Sequence, residues 1–226
     1  MRLAPATAAA WCLPAPAAHV RALCAPLGIS RTLPMGSPDV ALTFDDGPHP
    51  EGTPAVLELL ARGDQKATFF LVGEQVERHG SVAAEIVAAG HAIALHGYRH
   101  RNLLRVTPRA LADDLDRAHA LIADATGQAP SVYRPPYGIF SPAGLAIARR
   151  RGWEPMLWSQ WGTDWRRFIT PQSIARKLTR KVAPGDVLLL HDADYYSAKD
   201  SWRRTVAALP RVIAELERRN LRSVAL

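Results

Sequence analysis

Val40-Ala41-Leu42-Thr43-Phe44-Asp45-Asp46-Gly47-Pro48 is the stretch on which the reading of this chain turns. The apolar run 40–42 leads through Thr43 and Phe44 into two adjacent carboxylates and a Gly-Pro turn. That is the pattern of a short buried strand bounded by turn signals. Adjacent strand residues point to opposite faces, but where a strand ends in a loop both carboxylates can reach one cavity. Two neighbouring anions repel unless a cation neutralises one of them, and a metal ion does so most effectively. Asp, Gly and Pro equally favour a plain solvated turn. The stretch therefore takes its meaning from what the other strand ends deliver.

Working outward, strand-like runs occupy residues 40–44, 67–72, 92–95, 131–133, 153–158, 186–190 and 221–225. Helical patterns separate them. Residues 53–62 read as a helix capped by Thr53 with Pro54 at its first position, and 81–89 as a helix stopped by Gly90. Thr107-Pro108, Ser141-Pro142 and Thr170-Pro171 each open a further helix, and 201–219 is the last. Seven strand-like segments alternating with helices predict parallel βαβ units, closed as a barrel or laid out as an open sheet. In both arrangements ligands gather at the carboxyl ends of the strands.

The chain has 226 residues, 48% of them hydrophobic and 22% charged, which suits one globular domain. Residues 1–38 form an Ala/Pro-rich leader with a short helix expected near 19–27, and 39–226 form the domain proper. The leader faintly resembles a signal peptide, but Pro5, Pro14 and Pro16 interrupt its apolar part, so a cytoplasmic rather than exported protein is expected. No apolar run approaches the roughly 20 residues that cross a bilayer. The net charge of +7 comes almost wholly from arginine. The arginines are dispersed, and groups such as Arg149-Arg150-Arg151 fall at helix ends, where they complement the helix dipole; a nucleic-acid partner is not expected. Cys12 and Cys24 lie outside every motif and could at most form one bridge.

The chemistry-bearing residues cluster at the strand ends. Asp45 and Asp46 end the first; His96 and His100 follow 92–95; Arg134 ends 131–133. Asp164 and Trp165 follow 153–158, and His191 and Asp192 follow 186–190. Two histidines at His-x-x-x-His spacing can turn toward one point, and with Asp46 they make a three-ligand set that leaves a position open. Several divalent metals accept those ligands.

In order, Thr-Phe-Asp-Asp-Gly-Pro, His-x-x-x-His, Arg-Pro-Pro-Tyr-Gly, Asp-Trp and Leu-Leu-Leu-His-Asp resemble the motifs of the polysaccharide deacetylase family, whose catalytic unit is the NodB homology domain (carbohydrate esterase family 4). The resemblance runs from about Val40 to the C-terminus. It implies a distorted (β/α) barrel of about seven strands, a divalent metal, usually zinc, and hydrolytic removal of an N-acetyl group from an amino sugar; cobalt is the other metal expected to suit these ligands. It further implies Asp45 as general base, Asp46, His96 and His100 as metal ligands, and His191 as general acid. Arg134 would hold Asp45, and Asp164 would tune either Arg134 or His191. The Tyr137 backbone N–H would meet the oxyanion, while Trp165 and Leu189 would wall the acyl pocket.

Two positions depart from the family pattern: Gly97 stands where Ser or Thr is common, and Trp161 where Asp is frequent. Both touch substrate specificity rather than the reacting groups. The family fold also serves deformylases and other small-amide hydrolases, and a non-catalytic carbohydrate-binding module is the rival from another class. An intact base, acid and ligand triad argues against that module. Trp153, Met156 and Trp158 alternate with period two and read as core. His79, His91 and His119 read as solvated, and Tyr195 and Tyr196 as aromatic platforms for a sugar face.

Overall fold

The structure, a computed structural model, describes residues 14–226. Seven parallel strands form one sheet in the order β5-β4-β3-β2-β1-β7-β6. They are β1 (Ala41–Asp45), β2 (Ala67–Leu71), β3 (Ala92–Leu95), β4 (Val132–Tyr133), β5 (Glu154–Pro155), β6 (Gln160–Trp161) and β7 (Val187–His191). The central strands β1 and β2 are buried along their whole length, as expected of parallel strands covered on both faces.

The curl of the sheet follows from connectivity. Strands β5 and β6 are the two edges, yet only residues 156–159 join them. A flat sheet of this order would hold its edges about 30 Å apart, whereas so short a link reaches at most about 17 Å. The sheet therefore bends into a distorted barrel. The 30–32 segment lies against it, with Ser30 bridging Met156 and Thr32 bridging Asp186.

Among the described residues the helices are α1 (Gly52–Arg62), α2 (Gly73–Arg78), α3 (Gly80–Ala88), α4 (Pro108–Thr126), α5 (Pro142–Arg151), α6 (Pro171–Thr179) and α7 (Ser201–Arg218). Thr107, Ser141 and Thr170 cap α4, α5 and α6 through their hydroxyls, as the Thr-Pro and Ser-Pro pairs predict. None of the described helices is long and apolar enough to cross a membrane. Residues 14–38 carry two short 3₁₀ turns, Ala15–Ala18 and Arg21–Leu23, and bury Ala17, Ala18, Cys24, Ile29 and Leu33 in the common core. Cys24 has no disulfide partner among the described residues; its conceivable partner Cys12 lies outside them.

Several sequence expectations are corrected. The 153–158 run is not one strand. Pro155 has no N–H to extend a ladder, the Met156 and Leu157 carbonyls accept from Arg134, and the Leu157 N–H goes to Ser30. The chain re-enters the sheet only at β6, which the sequence reading did not anticipate. Residues 221–225 make a single bridge, Ser223 to Val40, because the Leu42 N–H bonds the Ser223 hydroxyl instead of a strand carbonyl. Thr53 does not cap α1, which begins at Gly52; its hydroxyl accepts from His49 N and donates to Asp192. Helix α2 was unforeseen. His91 is buried, not solvated: its Nδ1 accepts from Ala67 N at 3.3 Å, and burial pulls the imidazole down to about 4.

Candidate active site

The ends of β1, β3, β4 and β7, with the loop after β6, bring the sequence-selected groups around one cavity. It has a volume of about 470 Å³ and is lined by Asp45, Asp46, His96, His100, Tyr137, Trp165, Leu189 and His191. Register places Asp45 directly beside His191 on the neighbouring strand. A larger depression of about 690 Å³ beside the starts of β4 and β5 contains none of these groups.

Arg134 is fully buried and fixes the first carboxylate. Its Nη1 donates to Asp45 Oδ1 at 2.6 Å and to Thr43 Oγ1 at 3.0 Å. Its Nη2 donates to the Leu157 carbonyl at 2.9 Å, and the guanidinium lies 3.7 Å over the Phe70 ring. A buried guanidinium is tolerable only when paired and hydrogen-bonded in this way. Burial still draws its pKa down, opposed by Asp45.

Asp46 takes a left-handed backbone, φ 80°, a conformation costly for a non-glycine residue and typical of functional turns. Its Oδ1 lies 3.5 Å from His96 Nε2 and 3.2 Å from His100 Nε2. The three ligand atoms fall within 4.8 Å of one another. His96 Nδ1 sits 2.8 Å from the Arg134 carbonyl, which can only accept, so in the neutral ring Nδ1 carries the proton and Nε2 is bare. Asp46 Oδ1 is buried without a hydrogen-bond donor. A buried carboxylate oxygen facing two imidazole nitrogens lacks only a cation, and a divalent ion fits the donor set.

Asp164 belongs to His191, not to Arg134, and so resolves the choice left open by sequence. Its Oδ1 is 2.9 Å from His191 Nδ1, while Oδ2 accepts from His191 N and from Thr205 Oγ1, each at 2.7 Å. Burial alone would lower the His191 imidazole. Asp164 outweighs it, helped by Asp46 and Asp45, and the group is pushed up to about 10. His191 thus holds a proton near neutrality, with Nδ1 committed to Asp164.

Trp165 meets the His191 ring edge-on at 5.4 Å. Tyr137 also has a left-handed backbone, φ 61°. Gly97, at φ 89°, occupies a conformation that Ser or Thr would enter only with strain, so here the glycine suits the turn between the two histidines. Trp161 packs between Trp158 and Trp165 on the cavity wall. Trp153, Met156 and Trp158 are buried, as their spacing predicts, although Trp158 also reaches the cavity.

Sequence reasoning placed Tyr195 and Tyr196 together; only Tyr196 lines the cavity, whereas Tyr195 packs against His49. It missed His19, which reaches the cavity from the 14–38 segment beside Trp161. No local signal could have found that contact. Asp192 is buried behind the site, where burial raises its carboxyl to about 7 against the pull of the Thr53 hydroxyl.

The family model for polysaccharide deacetylase matches residues 33–156. The chain belongs to the polysaccharide deacetylase family. A peptidoglycan-N-acetylglucosamine deacetylase of Bacillus cereus is 33% identical over 193 residues, covering 85% of this chain and 68% of that protein. A chitooligosaccharide deacetylase of Bradyrhizobium is 36% identical over 191 residues, covering 81% and 87%. The crystal structure of a peptidoglycan N-acetylglucosamine deacetylase superposes with a TM-score of 0.82 at 31% identity, covering 88% of this chain and 91% of the other. Metal dependence is general in this polysaccharide deacetylase family, and Asp46, His96 and His100 supply a site of that kind.

Proposed function

We propose that this chain is a divalent-metal-dependent hydrolase that removes the N-acetyl group of an N-acetylated amino sugar, borne on a polysaccharide, oligosaccharide or glycoconjugate. The observation that supports it is one site that joins an arginine-paired carboxylate, an aspartate-paired histidine and an Asp-His-His triad. Two imidazoles and one carboxylate favour zinc, with cobalt as a working substitute. The ion held by Asp46, His96 and His100 would polarise the amide carbonyl and make water a better nucleophile at neutral pH.

Asp45 is the general base. Its hydrogen bond with Arg134 fixes and aims the carboxylate, so that Oδ2, free of that hydrogen bond, accepts the proton of the attacking water. The Tyr137 backbone N–H is the donor to the developing oxyanion, a contribution of about 3 kcal/mol for one such group. His191, with Nδ1 held by Asp164, presents Nε2 to the leaving nitrogen and protonates it as the C–N bond breaks. Trp165 and Leu189 close around the acetyl methyl group.

Acetate release from N-acetylglucosamine oligomers, before and after dialysis against a strong chelator, tests this reading. Release should cease on dialysis and return with zinc or cobalt. Undiminished release from rigorously metal-free protein, or none from any N-acetylated sugar, would overturn it.

A further inference from the structure

The two imidazoles of the triad are held in different ways. His96 is fixed by its Nδ1 contact with the Arg134 carbonyl, the usual means of setting the tautomer and orientation of a ligating imidazole. His100 has no such brace: its Nδ1 is buried and finds no hydrogen-bond partner among the described residues. Its ring is gripped by tyrosines instead. Tyr196 lies parallel to it, with centroids 4.2 Å apart and planes 7° apart, and Tyr137 meets it edge-on at 4.4 Å.

The Tyr196 ring is itself anchored. Its hydroxyl donates to Glu74 Oε1 at 2.6 Å and accepts from Gln75 Nε2 at 2.9 Å, both on α2. The start of α2 is tied in turn to the loop between the two histidines, through Gly73 N to the Gly97 carbonyl and Glu74 N to the Tyr98 carbonyl, each at 2.9 Å. The histidine loop, α2 and Tyr196 thus form a closed circuit around His100.

We infer that Tyr196 is a positioning residue for the metal centre, its flat face holding the His100 ring in the ligating orientation that a hydrogen bond secures for His96. An imidazole without a partner on its distal nitrogen can swing about its Cβ–Cγ bond, and each misaligned orientation costs affinity for the ion. Face-to-face contact removes those orientations. The inference rests on the reading of Asp46, His96 and His100 as ligands.

The test is metal affinity, not turnover. Metal-stripped protein is titrated with zinc, and separately with cobalt(II), against a chromophoric chelator. Tyr196→Phe keeps the ring and loses the hydroxyl, and should bind within about twofold of wild type. Tyr196→Leu and Tyr196→Met lose the flat face and should bind about three- to tenfold more weakly, with an altered visible spectrum of the cobalt form. Tyr195→Leu, one residue away, should match wild type. Wild-type affinity and spectrum in both Tyr196→Leu and Tyr196→Met would overturn the inference, as would a loss in Tyr196→Phe equal to theirs. Failure of the wild-type protein to bind either ion would instead overturn the assignment of the triad.

Discussion

Asp164→Asn isolates the group on which the proton donor depends. In the wild type, Asp164 accepts from His191 Nδ1, His191 N and Thr205 Oγ1, so all its contacts are with donors. An asparagine has one accepting oxygen, and its amide nitrogen must turn an N–H toward at least one of those donors. The negative charge disappears while burial remains. The His191 imidazole should then fall well below about 10, since burial still lowers it and only Asp46 and Asp45 are left to raise it.

The shift implies stability linkage of the order of 5 kcal/mol. The folded pKa lies above the unfolded one, so this stabilisation is complete below pH 6.5 and is lost as pH rises through about 10. An ion in the triad would offset the Asp46 contribution and shrink that window from above. Thermal unfolding between pH 6 and 10 should therefore show a falling wild-type stability that is flatter in the variant. Catalytically, the basic limb of the pH profile of kcat/KM should move down by more than about one unit, and kcat should drop about 10²- to 10⁴-fold. An unmoved basic limb would refute the assignment of that limb to His191. An unmoved stability profile would refute the charge coupling itself.

Asp45→Asn should retain the metal and lose turnover by about 10²- to 10⁴-fold, checked by metal analysis beside acetate release. Loss of metal in parallel with activity would mean that Asp45 also acts as a ligand. Arg134→Met should destabilise the fold by about 3–5 kcal/mol in chemical denaturation, because Asp45 is left buried without its partner; a cost below about 1 kcal/mol would show that the pair is not needed. His191→Ala should depress turnover far more for an N-acetyl sugar than for an activated acetanilide, whose leaving amine needs little protonation. Equal losses on the two substrates would remove His191 from the role of proton donor.

Much of this architecture was legible in the sequence, because the relevant signals are local. Buried apolar runs ending in Asp-Asp-Gly-Pro or His-Asp mark strand ends whatever surrounds them, and Ser-Pro and Thr-Pro pairs mark helix starts. The clustering of Asp45, Asp46, His96, His100, Arg134 and His191 followed from one rule, that parallel α/β folds gather ligands at the carboxyl ends of their strands. The tertiary structure decided the remainder. Whether Asp164 serves Arg134 or His191 depends on the loop after β6, a strand formed by pairing with β7, while β5 stops early because Arg134 and Ser30 take the backbone groups that would have prolonged it. The choice of Tyr196 over Tyr195, the buried state of His91, and the arrival of His19 at the cavity depend equally on partners far away in the chain. Local pattern follows the preferences of a residue and its near neighbours; hydrogen-bond partners and ring contacts are set by which distant groups the closed barrel brings within about 3–5 Å.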